Sequence, residues 1–128
     1  MAKTKKITDK IKSFQDALDY NGETIEQFNW RTERDTPGQR AGKALEVIAL
    51  ALNEGKILEN SERWYYPWFW KAGSASGFSY LGYYCGLSDS GVGARLCVGT
   101  SDLAIYMGKN FLPLYDEYIN SKETIFKP

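Results

Sequence analysis

The chain has 128 residues, 16 basic and 16 acidic side chains, two cysteines and no histidine. That length suits one domain around one core, and a formal charge of zero leaves no global field to draw the chain to nucleic acid or acidic lipid. Without histidine, His-based triads, Cys-His dyads and the familiar His-containing zinc sites are excluded, so any enzyme here would move protons with Asp, Glu, Lys, Tyr or Cys.

The first six residues are polar and basic and read as a frayed arm. The start MAKTKKITDKIKSF lacks the apolar segment of a signal peptide, and no apolar run is long enough to cross a bilayer. The expectation is a soluble, cytoplasmic protein with no membrane partner. Lys3, Lys5, Lys6, Lys10 and Lys12 could touch phosphate, but beside Asp9, Asp16 and Asp19 they read more simply as a solvated end. Thr8 can cap a helix running to about Tyr20, with Ile11, Phe14, Ala17 and Leu18 on one stripe and Asn21-Gly22 ending it.

Thr24 with Gln27 fits a capping box for a second short helix, in which Ile25 and Phe28 can pack together. Glu23 and Glu26 can share one side of it and read as a solvated face. The clearest helix start is Thr36, with Pro37 at the first helical position and Gln39 at the third. Ala41, Leu45, Ile48 and Leu52 continue the pattern and Gly55 stops it. Gly42 weakens the first half of this helix, while Ala41, Gly42 and Ala44 would let another helix approach closely.

The grammar changes at Trp64. Every position from Trp64 to Trp70 except Pro67 is aromatic, and from Trp64 to Thr100 only Lys71, Asp89 and Arg95 are charged. Strands are expected at 64–70, 78–86 and 93–99, joined by AGSASG and LSDSGVG. Pro67 bars a central hydrogen-bonded position, so the first strand should be an edge or carry a bulge. A turn near Gly91 would set Cys85 across from Cys97 and Tyr84 across from Val98. Two cysteines are too few for a disulfide framework, and reduced structural thiols are the simpler expectation, with a bridge across those strands as the alternative.

The segment GTSDLAIYMGKNFLPLYDEYI reads as a terminal helix capped by Thr100 or Ser101. Asp102 suits its first turn, and Leu103, Met107, Phe111, Leu114 and Tyr118 form a stripe. Pro113 predicts a kink or restart near Gly108 to Asn110. Helices bracketing a small antiparallel aromatic-rich sheet make an α+β domain with no linker or internal repeat to divide it.

The blocks IALALNEG, NSERWYYPWF, GVGARLC and DLAIYMGKNFLPLYDEYI cover roughly residues 45 to 120. In them the chain resembles a group of small uncharacterised proteins of Bacteroidales bacteria and of their phages and prophages. The resemblance implies an origin in a gut bacterium or its phage, as an accessory factor or a virion-associated part, and supplies no active residue. Where those proteins carry an ordinary helical residue this chain has Pro113, which argues against an unbroken last helix.

Two functional readings follow. In the first, alternation puts Trp64, Tyr66, Trp68 and Trp70 on one side of the first strand and Tyr65 and Phe69 on the other. One side builds the core against the helix at 45–52; the other needs a second cover, from the terminal helix or from another subunit. Aromatic residues anchor interfaces because they bury much area at modest ordering cost. This reading is a noncatalytic protein acting through an aromatic interface, with itself as a homodimer or with another protein. In the second, the rings stack on single-stranded bases while Arg63, Lys71 and Arg95 form a basic rim.

Catalysis has weaker support. DSGVGAR lacks the Lys-Ser/Thr ending of a phosphate-binding loop, and a turn explains Gly91 and Gly93. Asp89, Asp102, Asp116 and Glu117 would have to converge to hold a metal, and the adjacent Asp116 and Glu117 read as a solvated helical face. Ser90 has no histidine to activate it. Cys97 stands near Arg95, but within ARLCVG it reads as a buried strand residue. No cofactor, metal or catalytic residue is therefore expected.

Overall fold

In the computed structural model, residues 6–56, 63–71, 78–87 and 94–120 are described. The protein is an α+β fold. Its elements are α1 (Ile7–Lys10), α2 (Phe14–Asn21), α3 (Ile25–Arg31), α4 (Pro37–Leu52), β1 (Arg63–Lys71), β2 (Phe78–Leu87), a 3-10 turn (Ala94–Leu96), α5 (Ser101–Asn110) and α6 (Leu112–Asn120). Among the described residues no helix is long and apolar enough to cross a membrane.

Local chemistry sets most helix ends. Thr24 and Thr36 each accept the N–H of the glutamine three residues on, while Gln27 and Gln39 accept the threonine N–H in return at 2.9 Å. Thr100 caps α5 through the Leu103 N–H. Gly22 closes α2 at φ 77°, a left-handed conformation that glycine adopts without a Cβ penalty.

The first expected helix is two. Ser13 rather than Thr8 caps the longer piece, accepting the Asp16 N–H, while Asp16 takes the Lys12 N–H. The break frees two carbonyls, and both find distant donors: Tyr106 Oη donates to Ile11 O at 2.6 Å and Asn110 Nδ2 to Lys12 O at 3.0 Å. The terminal helix also restarts, at Phe111, and Pro113 sits in the first turn of α6 where its missing N–H costs no helical bond.

The apolar faces of α2 and α4 meet in a core containing Leu18, Phe28, Leu45, Ile48 and Leu52, which Met107 and Tyr115 close from α5 and α6. The small residues of α4 admit a neighbour: an added Cβ at Gly42 would lie 2.7 Å from Tyr118 Cε1 of α6. The α4 face packs chiefly on α2 and α6, while α5 is the main helical cover of β1. The expected direct cover of β1 by the 45–52 helix face is therefore supplied mainly by the C-terminal helices.

Strands β1 and β2 pair antiparallel from Arg63↔Leu87 to Trp68↔Gly82, then from Phe69↔Tyr80 to Lys71↔Phe78. The shift leaves Leu81 as an extra residue, so the bulge lies on β2. The expected third strand at 93–99 is instead a 3-10 turn followed by one bridge, Tyr65↔Val98. Tyr65 N donates to Val98 O at 2.9 Å and Val98 N donates back at 2.8 Å.

This bridge overturns the expected pairing of Tyr84 with Val98 and of Cys85 with Cys97. Tyr84 and Cys85 pair with Tyr66 and Tyr65, so β1 stands between the two cysteines. Neither cysteine is in a disulfide; Cys85 is exposed and Cys97 is buried. Asn53, just past α4, holds the bridging segment from behind: its Nδ2 donates to Cys97 O at 3.0 Å and its Oδ1 accepts the Gly99 N–H at 2.9 Å. The connections at 72–77 and 88–93, and the arm before Lys6, lie outside the described residues.

Candidate interaction surface

The phase of the hairpin follows from Tyr65. Its N–H and C=O both face Val98, so they point away from β2. In an antiparallel ladder, residues paired without mutual hydrogen bonds alternate with those that exchange them. Tyr65↔Cys85 and Pro67↔Tyr83 are thus pairs facing apart, and Trp64↔Gly86, Tyr66↔Tyr84 and Trp68↔Gly82 are the bonded pairs. Pro67 fits because the N–H it lacks would point away from β2 and so belongs to no bond of the β1–β2 ladder.

Side chains alternate across the same strand. Phe69 turns inward, its ring 4.6 Å from that of Tyr115. Pro67 is buried against α5. On the outer face, Tyr66 and Trp68 are 36% and 47% exposed, and Tyr84 of β2 is 54% exposed between them. Tyr84 stacks on Tyr66 at 6.2 Å and 19° and meets Trp68 edge-on at 4.9 Å. Opposite Trp68 stands Gly82, where an added Cβ would meet nothing within 4 Å among the described residues. One face of the hairpin therefore carries a contiguous cluster of three exposed rings.

Trp64 shares that face by alternation but is buried. Trp70 and Lys71 occupy the end of β1 opposite Ser79 and Phe78; their side chains lie outside the described residues. Arg63 is exposed on the opposite face, where its Nη1 donates to Cys85 Sγ at 3.3 Å. Arg95 lies elsewhere, lining a cleft of about 470 Å³ with Arg31, Glu46, Leu50, Lys56 and Cys97. Arg63 and Arg95 thus do not join Tyr66, Trp68 and Tyr84 on one face.

Burial pushes the Cys97 thiol up to about 11, which keeps it protonated and poorly nucleophilic at neutral pH. Glu23 is held by Arg31 in a two-point ion pair at 2.6 and 3.1 Å. Asp116 accepts from Asn120 on the surface of α6. Among the described residues, no three Cys, Asp or Glu side chains converge as a metal site. Asp89, Ser90, Gly91 and Gly93 lie outside the described residues.

Sequence reasoning missed Tyr84 as a member of the cluster. The signal was present in the alternation of YLGYYCG, but using it required knowing that β2 pairs with β1 in this register. It also passed over Trp30, 79% exposed on α3 beside Glu26 and Gln27. Its neighbours give Trp30 no period that distinguishes it from a core residue.

No protein-family model matches this chain, and neither does any curated protein or solved structure.

Proposed function

We propose that this protein is a noncatalytic accessory or structural component that works by protein-protein contact through the outer surface of its aromatic hairpin. The observation that carries this reading is the exposed cluster of Tyr66, Trp68 and Tyr84 on one face. Contiguous exposed apolar surface of this kind marks interaction sites, and tyrosine and tryptophan are the commonest anchors of them. The four sequence blocks that resemble proteins of Bacteroidales and their phages support an accessory or virion-associated setting.

Single-stranded nucleic acid is the second reading, favoured by the same exposed rings, on which bases stack. It has less support, because backbone binding needs cations beside the stacking platform and Arg63 projects from the opposite face.

Absolute mass by light scattering at low and high salt, with a fluorescent oligothymidine titration alongside, separates the two. The expected result is an assembly heavier than the monomer that persists in salt, and a monomeric, folded Trp68→Ala/Tyr84→Ala double variant. Salt-sensitive oligothymidine binding that the double variant loses would transfer the function to the second reading. A monomer with neither property would overturn self-contact through the hairpin and the nucleic-acid reading alike.

A further inference from the structure

The outer edge of β2 carries a more specific inference, which rests on the protein-contact reading above. Among the described residues, β2 has a strand on one side only. The phase set by Tyr65 and Val98 aims the N–H and C=O groups of Tyr83, Cys85 and Leu87 away from β1. Three alternate residues thus present a row of main-chain donors and acceptors. An open edge of this kind is a template for another strand.

The usual protections are thin on this stretch. Phe78–Leu87 reads FSYLGYYCGL, with no charge and no proline over its length. The bulge at Leu81 disturbs the near half and leaves Gly82 to Leu87 regular.

We propose that this edge pairs with the same edge of a second copy, antiparallel about a two-fold axis at Cys85. In that register Cys85 faces Cys85 of the copy, Tyr83 faces Leu87, and Tyr84 faces Gly86. The outward groups of residues 83, 85 and 87 meet their counterparts, so both donors and acceptors are matched. Tyr84 meets a residue with no side chain, which gives its exposed ring a place to lie across the junction. A copy is the fitting occupant because each Tyr84 meets a Gly86, so the pattern of β2 is complementary to itself about this axis. The two ring clusters would then form one continuous aromatic face.

The register predicts a covalent readout. Directly opposed residues in a bonded antiparallel pair have Cα atoms about 5.5 Å apart, within the span of about 4.4 to 6.8 Å that a disulfide accepts. The full chain carrying Cys97→Ala is oxidised with diamide, which takes up the two hydrogens as two Cys85 thiols join. A variant with Cys85→Ala, Cys97→Ala and Glu33→Cys, whose thiol is exposed on the helical side, measures cross-linking by collision. Cys85 should cross-link at least about tenfold faster, because pairing raises the effective thiol concentration to the millimolar range.

Cys85→Pro supplies a second test. Its N–H points outward, so proline there spares the β1 ladder and removes a bond only from the dimer. The expected variant keeps the native circular dichroism and is a monomer by light scattering at protein concentrations on the order of 100 µM, where weak strand pairing is populated. Trp68→Ala should keep the dimer and Tyr84→Ala should loosen it. A dimer that Trp68→Ala dissociates, with Cys85 cross-linking no faster than Glu33→Cys, would mean contact through the ring face; it would overturn edge pairing while leaving the proposed function standing. A wild-type monomer under all these conditions would overturn the edge pairing directly.

Discussion

Gly108 of α5 lies so close to Pro67 of β1 that a Cβ added to the glycine would stand 2.7 Å from the Pro67 Cβ. Tyr80 Cδ1 would be equally near. This approach brings the helix against the hairpin face, and it needs a residue without a side chain on the helix.

Gly108→Ala should therefore destabilise the protein. Alanine gains about 1 kcal/mol of helix propensity, but overpacking against a rigid ring costs about 1–3 kcal/mol, and here two neighbours must yield. Gly42→Ala meets the same 2.7 Å, but from the Tyr118 ring, which is 42% exposed and can swing outward. Urea denaturation should show Gly108→Ala clearly below wild type and Gly42→Ala close to it.

Asn53→Ala removes both bonds that hold the bridging segment. Cys97 O and Gly99 N would lose their partners in a partly buried place. The expected loss is about 2–3 kcal/mol, read as a lower denaturation midpoint. Amide exchange at Val98, whose N–H bonds Tyr65, should rise more than global unfolding accounts for.

Neighbouring rings of β1 should differ sharply. Phe69 packs on Tyr115 inside, so Phe69→Ala should cost about 2–4 kcal/mol. Trp68 is half exposed outside, and Trp68→Ala should cost about 1 kcal/mol or less, chiefly its edge contact with Tyr84. Equal costs in thermal melts would mean that the hairpin faces are not divided as described.

Stability should fall at alkaline pH. The Cys97 thiol is held up to about 11 in the folded chain by burial, against about 8.5 when unfolded. The unfolded state therefore releases its proton first, so the stabilising contribution is complete below about pH 8.5 and is lost as pH rises through about 11. Tyr115, raised by burial and then by the charge of Cys97, and Tyr106, raised by burial and then by Asp16 and Asp9, act in the same direction at higher pH. Cys97→Ala should flatten the first part of the decline in a denaturation series. In the native protein at neutral pH, a thiol reagent should label Cys85 well before Cys97.

The sequence by itself determined the local boundaries. Thr24 with Gln27, Thr36 with Pro37 and Gln39, Thr100, and the Asn21-Gly22 stop are readable because each cap joins groups within a few residues, whatever the rest of the chain does. Alternation along β1 was readable for the same reason, as was the restart before Pro113. Tertiary structure alone decided what lay between. Whether α1 and α2 fuse depended on Tyr106 and Asn110, which reach Ile11 and Lys12 from 95 and 98 residues away. Whether Val98 belonged beside Tyr84 or Tyr65 depended on Asn53 holding its neighbours and on α5 fitting against Pro67. A one-residue pattern states which side of a strand a ring occupies, but not which strand pairs with it or whether a helix covers it. Those choices are made by distant groups competing for the same surface, and they put Tyr84 beside Tyr66 and Trp68 while burying Trp64.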